Sequence, residues 1–148
     1  MRSIEKIVNV EVPLDVTFAT WANYNSFPAF TKNRVTVEKL GRTRTRWIVD
    51  LLGYSAEFEA EVDDIKPNKL LSWHSTTGVR HFGSVYFVPG DGSTTVTVRL
   101  TFDTEHIETR LGIDIAAKWC ELEALFDDIL EGFKAYVEQM WWQVPEAV

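Results

Sequence analysis

Few groups in this chain have the reactivity to do chemistry, and His81 is the most interesting of them. It shares a strand parity with Gly83, Val85 and Phe87, which points it to the buried side of its strand, and Gly83 leaves space beside it. An imidazole placed there can bind a ligand carbonyl or move a proton near neutral pH. It can equally be a core or loop-edge histidine bonded to backbone. Tyr54, next to Gly53, and Ser75 each add a hydroxyl, for a ligand or for a structural hydrogen bond. His81 and Tyr54 are thus the candidate catalytic groups. His74 falls on the outer parity and His106 in the loop before the last helix.

Other chemistries lack their residues. There is no HxH or HExxH spacing, and one cysteine, Cys120, supplies neither a disulfide framework nor a ligand set, so no metal is expected. Cys120 follows Trp119 in what reads as mid-helix, away from a helix N-terminus that would activate its thiol. No Gly-x-Ser-x-Gly elbow occurs. Pro89-Gly90-Asp91-Gly92-Ser93 is glycine-rich but has neither the spacing nor the following helix of a phosphate loop, and no cofactor is expected.

The elements that must position these groups follow from periodicity. Ser3–Val12 puts Ile4, Val8, Val10 and Val12 on one parity, with Lys6 breaking the alternation, and predicts a half-buried strand. Pro13 then opens a short helix with Val16, Phe18/Ala19 and Trp21 as its buried stripe, and a second short helical turn follows near Phe27-Pro28. Six strands come next. In the clearest, Tyr54, Ala56, Phe58, Ala60 and Val62 face one way while Ser55, Glu57, Glu59 and Glu61 face water. The last, Thr94–Phe102, sends Val96, Val98, Leu100 and Phe102 inward. From about Leu111 to Trp142 the spacing becomes helical, which predicts one uninterrupted amphipathic helix of about 30 residues. With no linker or repeat in its 148 residues, the chain reads as a single domain, residues 1–148.

Composition narrows the class of partner. A net charge of −7 argues against nucleic acid, and Arg42, Arg44 and Arg46 alternate along a strand as a solvated face would. The N-terminal residues lack the apolar region of a signal peptide, and no stretch reaches the length of a membrane span. The expectation is a soluble cytoplasmic protein. Six Trp and nine Phe suit a large core or a cavity walled with rings.

In this order the elements resemble the START-like, or SRPBCC, superfamily with its helix-grip fold. The likeness runs from Ile4 to about Glu138. Its residues include Val10-Glu11-Val12-Pro13-Leu14-Asp15, Phe27-Pro28-Ala29-Phe30, Leu71-Ser72-Trp73-His74-Ser75, His81-Phe82-Gly83-Ser84-Val85 and Leu125-Phe126-Asp127-Asp128-Ile129-Leu130. The combination most resembles the polyketide cyclase/dehydrase branch. The resemblance implies an α+β fold, a curved seven-stranded antiparallel sheet around a long C-terminal helix with two short helices after strand 1. It also implies a cavity between the concave face and that helix.

Parity then nominates the residues of the wall. The strands should contribute Trp47, Val49, Tyr54, Phe58, Trp73, Ser75, His81, Val85, Val98 and Leu100. The helix should contribute Leu111, Ile115, Trp119, Leu122 and Phe126. For the apolar members ordinary core packing is the competing explanation. Three functions remain open. The first is binding of a small hydrophobic molecule, lipid- or polyketide-like, oriented by His81 or Tyr54. The second is a cyclase, dehydratase or aromatase working through enol chemistry. The third is a protein-interaction domain using its outer face or Trp141-Trp142. Cyclases of this fold usually present an arginine to the cavity, whereas Arg46, Arg80 and Arg99 fall on the outward parity here.

Overall fold

A computed structural model describes residues 1–51 and 54–142, with the side chains of Leu51 and Tyr54 outside that description. The chain runs β1 (Arg2–Val10), α1 (Leu14–Ala22), a 3-10 turn (Tyr24–Ser26), α2 (Phe27–Phe30) and β2 (Val35–Lys39). It continues through β3 (Arg44–Leu51), β4 (Tyr54–Lys66), β5 (Leu70–Thr77), β6 (His81–Pro89) and β7 (Thr94–Phe102), then α3 (Thr104–Leu111) and α4 (Trp119–Trp142). The strands form one antiparallel sheet in the order β1-β7-β6-β5-β4-β3-β2. Strands β2 to β7 are a meander, and β1 closes the far edge by pairing with β7. Register shifts on β4 at Glu59/Ala60 and Val62/Asp64 bend this 13-residue strand, as bulges do, and help the sheet curl into a half-barrel.

Alternation sorts the two faces as the sequence predicts. On β6 the inner set His81, Gly83, Val85 and Phe87 is buried, while Phe82, Tyr86 and Val88 are exposed. The outer face of β3 and β4 is an ionic lattice: Arg44 pairs with Glu59 and Glu61, and Arg46 with Glu38 and Glu57, all near 3.4–3.7 Å. These contacts join neighbouring strands, which explains the alternating arginines and glutamates without a cation or a nucleic acid. Among the described residues no cluster could hold a metal ion, and no helix is long and apolar enough to cross a membrane.

Two helical expectations need correction. The buried side of α1 is Thr17, Thr20 and Trp21; Val16 and Phe18 are only half-buried and Ala19 is exposed. Threonine can turn inward because Thr17 donates its hydroxyl to the Pro13 carbonyl at 3.0 Å and Thr20 to that of Val16 at 2.8 Å. The predicted helix from Leu111 to Trp142 is two helices. Asp103 caps α3 by accepting from the His106 amide at 3.1 Å, and Gly112, left-handed with φ 66°, ends it. Leu111 is therefore the exposed last residue of α3, and His106 lies in its first turn rather than in a loop. Cys120 sits, exposed, in the first turn of α4 and not mid-helix.

Helix α4 spans 24 residues, about 36 Å at 1.5 Å per residue, and buries Trp119, Leu122, Leu125, Ile129, Leu130, Phe133 and Val137 against the sheet. Its C-terminal half is seated closely. Gly132 meets the Phe30 carbonyl at the end of α2, where a Cβ would collide with backbone. Polar contacts tie the same half to the end of β1: Lys134 donates to the Asn9 carbonyl at 2.8 Å, and the Glu11 amide donates to Glu138 at 2.8 Å. Burial alone would raise the Glu138 carboxyl, but the Glu11 amide and the Lys134 ammonium more than offset it and leave it below its ordinary pKa.

Gly132→Ala separates propensity from packing. In a helix interior alanine is ordinarily the better residue by about 0.5–1 kcal/mol. Here the collision with α2 predicts a loss of about 1–3 kcal/mol in urea unfolding instead. A gain in stability would show that α4 does not rest on Phe30.

Candidate functional site

Between the concave sheet and the N-terminal half of α4 lies a cavity of about 140 Å³ with an almost wholly apolar wall. The sheet contributes its inner positions, among them Trp47, Phe58, Trp73, His81, Val98 and Leu100. From α4 come Leu122, Leu125, Phe126 and Ile129, and from the segment after β1 come Trp21, Tyr24 and Phe27. Aromatic rings run round this wall in a continuous arc. Phe27 meets Trp47 edge-on at 5.2 Å, Trp47 stacks on Phe58 at 5.9 Å, and Phe58 meets His81 at 4.5 Å. His81 stacks on Phe102 at 5.7 Å, and Phe102 reaches Phe126 at 6.4 Å. Offset and edge-on pairs of this kind each add about 0.5–1.5 kcal/mol beyond the area they bury.

His81 is fully committed to the wall. Its Nδ1 lies 2.7 Å from the Val79 carbonyl, which can only accept, so the proton sits on Nδ1. Its Nε2 accepts from the Trp73 indole N–H at 3.3 Å, and its backbone amide donates to Ser75 Oγ at 2.9 Å. Burial pushes the imidazole below its usual pKa, against the opposing effect of the Val79 bond, and keeps it neutral. Both ring nitrogens are thus used by protein, and of the two sequence readings the backbone-bonded core histidine describes the geometry. The space that the sequence reads beside Gly83 is filled: the Trp73 indole lies against it with Leu100 alongside, so a side chain there would displace the ring that His81 accepts from.

Two further polar groups reach the cavity. Thr45, buried on β3, accepts from the Trp47 indole N–H at 2.8 Å. Tyr24, half-buried on the 3-10 turn, packs edge-on to Trp47 at 5.9 Å, and burial raises its phenol pKa. Lys6, whose inward parity breaks the alternation of β1, lays its stem along the wall. Its ammonium turns out to Asp127 at 3.3 Å and Glu123 at 3.7 Å on α4. Arg46, Arg80 and Arg99 pair with carboxylates elsewhere, with Glu38 and Glu57, Asp103, and Glu5 respectively.

Of the residues nominated from sequence, Trp47, Val49, Phe58, Trp73, His81, Val98, Leu100, Leu122 and Phe126 line the cavity. Val85, Ile115 and Trp119 are buried but do not line it. Val85 is sealed in core, and Trp119 packs on Phe102 with the Arg2 guanidinium 4.3 Å over its ring. Ser75 holds the His81 backbone and does not reach the space. The Tyr54 side chain and Gly53 lie outside the described residues. Strand parity points a residue inward but cannot distinguish packed core from open wall. Tyr24 and Phe27 were missed because a 3-10 turn and a four-residue helix carry no periodicity. Thr45 had a signal, since it shares parity with Trp47, but it reads as polar surface. Trp141 packs at the margin of the core and Trp142 is 72% exposed.

Residues 10–113 match the family described as polyketide cyclase/dehydrase and lipid transport, and the chain belongs to that family. Its fold is the START-like helix grip expected from the sequence. An uncharacterized 17.2 kDa protein in the melC2-rnhH intergenic region of Streptomyces lincolnensis is 25% identical over 141 residues, covering 94% of this chain and 91% of the relative. Among solved structures, the Zhui aromatase/cyclase from Streptomyces sp. R1128 superposes with a TM-score of 0.78 at 17% identity, covering 99% of both chains. A START superfamily protein from Mycobacterium smegmatis gives 0.75 at 17% identity, over 93% of this chain and 98% of that one. At such identities the likeness is one of fold.

The geometry of His81 predicts its titration. By nitrogen-detected NMR it should be the Nδ1–H tautomer and stay neutral below pH 6.5, the ordinary imidazole value. As pH falls through that value the unfolded chain binds a proton that the folded chain refuses, so stability should decline toward acid until the folded-state pKa is reached. An imidazole titrating at or above 6.5 would contradict the assignment.

Proposed function

We propose that this chain binds a small apolar molecule of about one ring in size, held chiefly by burial between the sheet and α4. The observation carrying this reading is the cavity itself: about 140 Å³, walled by rings and aliphatic side chains, with its histidine saturated and its one lysine paired at the margin. An apolar cavity of comparable size, about 150 Å³, stays dry and takes up benzene. Membership of a family described by both cyclase/dehydrase activity and lipid transport is compatible with such a site. Acid–base cyclisation needs an inward proton carrier with a free nitrogen or oxygen at the reacting atom. His81 has none to spare, the Tyr24 phenol, its pKa raised by burial, holds its proton and offers no base, and the three arginines that sequence placed outward form ion pairs away from the wall.

Size and affinity follow from the space. A guest of six to eight carbons gains at most about 5–6 kcal/mol at about 0.8 kcal/mol per carbon buried, and the entropy of immobilising it leaves a dissociation constant of about 1–10 mM. A longer chain or a fused ring system requires the N-terminal half of α4 to move off the sheet. Toluene titrated into the protein should therefore show saturable binding by ligand-observed NMR in that range. The cavity-filling variant Val98→Phe, checked as folded by circular dichroism, should lose it. Absence of saturable toluene binding to the folded wild type would refute the reading.

A further inference from the structure

We infer that Tyr24 and Thr45 form a hydrogen-bond-donating end of the cavity that selects apolar ligands carrying a neutral acceptor oxygen, such as a ketone. This rests on the cavity being a ligand site. The two residues flank the same indole: Thr45 Oγ1 accepts from Trp47 Nε1 at 2.8 Å, and the Tyr24 ring packs edge-on to Trp47 at 5.9 Å. Both belong to the cavity wall.

Each has a proton to give. The Thr45 oxygen already receives the indole N–H, and its own hydroxyl hydrogen has no acceptor among the described residues. The Tyr24 phenol has no hydrogen-bond partner among them either. Tyr24 is a lining residue of the cavity and Thr45 another, so both hydroxyls belong to side chains that border it. Burial raises the Tyr24 pKa, which keeps its proton in place at neutral pH.

The other polar groups of the wall have nothing left to offer. The indole N–H groups of Trp47 and Trp73 and both nitrogens of His81 are paired. The Lys6 ammonium is paired with Asp127 and Glu123. Ser72 also borders the cavity, but on β5 it alternates with the inward Leu71 and Trp73, which directs its side chain to the opposite face. An anionic guest would therefore be desolvated without a free cation, and a cationic one without a carboxylate. A neutral carbonyl loses little water and gains two hydroxyl donors beside an otherwise dry ring site.

Four probes of similar size test this in calorimetry and ligand-observed NMR: ethylbenzene, acetophenone, benzoate and benzylamine. Acetophenone should bind about threefold to tenfold more tightly than ethylbenzene, as one or two net hydrogen bonds allow, and the two ions should bind more weakly than either. Tyr24→Phe and Thr45→Val should each lower the acetophenone to ethylbenzene ratio, and together bring it to about one. Thr45→Ser, which keeps the hydroxyl, should preserve it. If Thr45→Val does not fold, Tyr24→Phe must still lower the ratio. Equal affinity for the two probes in the wild type, or a ratio that survives the double variant, overturns the donor pair and leaves the apolar site standing. Failure of both neutral probes to bind overturns the site and the donor pair together.

Discussion

The concave face of the sheet carries more apolar surface than its strands can hide from water, and α4 is what covers it. Seven side chains of α4 are buried against that face and against α1 and α2, each contributing about 1.5–3 kcal/mol, so roughly 10–20 kcal/mol of burial depends on this one helix. That matches or exceeds the net stability of an ordinary domain, so the sheet cannot keep its curvature as an independent unit. The seating is uneven. At Gly132 the helix backbone comes down onto α2, and Lys134 and Glu138 fix it to β1. Toward Trp119 the helix is held through side chains, with Lys6 reaching Glu123 and Asp127 and Arg2 lying over Trp119, and the residues from Leu122 to Leu130 border the space. The cavity is thus a consequence of a helix docked closely at one end and propped by side chains at the other.

The same uneven docking explains why the histidine of the wall is quiet. The indole of Trp73 needs a surface without a Cβ to lie flat, and Gly83 provides it one strand away. Once flat, its N–H reaches His81 Nε2, and the Val79 carbonyl takes the other side of the ring. The network satisfies every buried polar atom involved and fixes the rings of Phe58 and Phe102 against the imidazole. The cost is reactivity, because an imidazole with both nitrogens engaged in a dry site has no proton to exchange with a guest. What chemistry the wall retains lies at its other end, in the hydroxyls beside Trp47.

Much of the architecture was legible from alternation, because a sheet with one wet and one dry face writes its pleat directly into residue types. The outward arginines and glutamates of β3 and β4 and the inward set of β7 are cases of this. The break between α3 and α4 was also written, in Gly112, but Ile115, Trp119 and Leu122 continue the apolar spacing across it and disguise the gap. That disguise carried Cys120 into the middle of a helix it begins. For the cavity the limit is different in kind. Val85 and Val98 share the same inward parity, yet one is packed core and the other wall, since whether an inward residue meets atoms or space depends on where α4 comes to rest. The hydroxyls of Tyr24 and Thr45 were hidden by an aperiodic turn and by the habit of reading threonine as surface.

Xenon pressurised into a crystal of this protein is the most direct probe of the cavity, because xenon reports a dry apolar space without depending on any choice of ligand. A xenon site is expected between Trp47 and Phe58 on the sheet and Leu122 and Phe126 on α4, with the Nδ1 of His81 still bonded to the Val79 carbonyl. A cavity closed by side chains, or filled by water bonded to His81, would contradict this expectation.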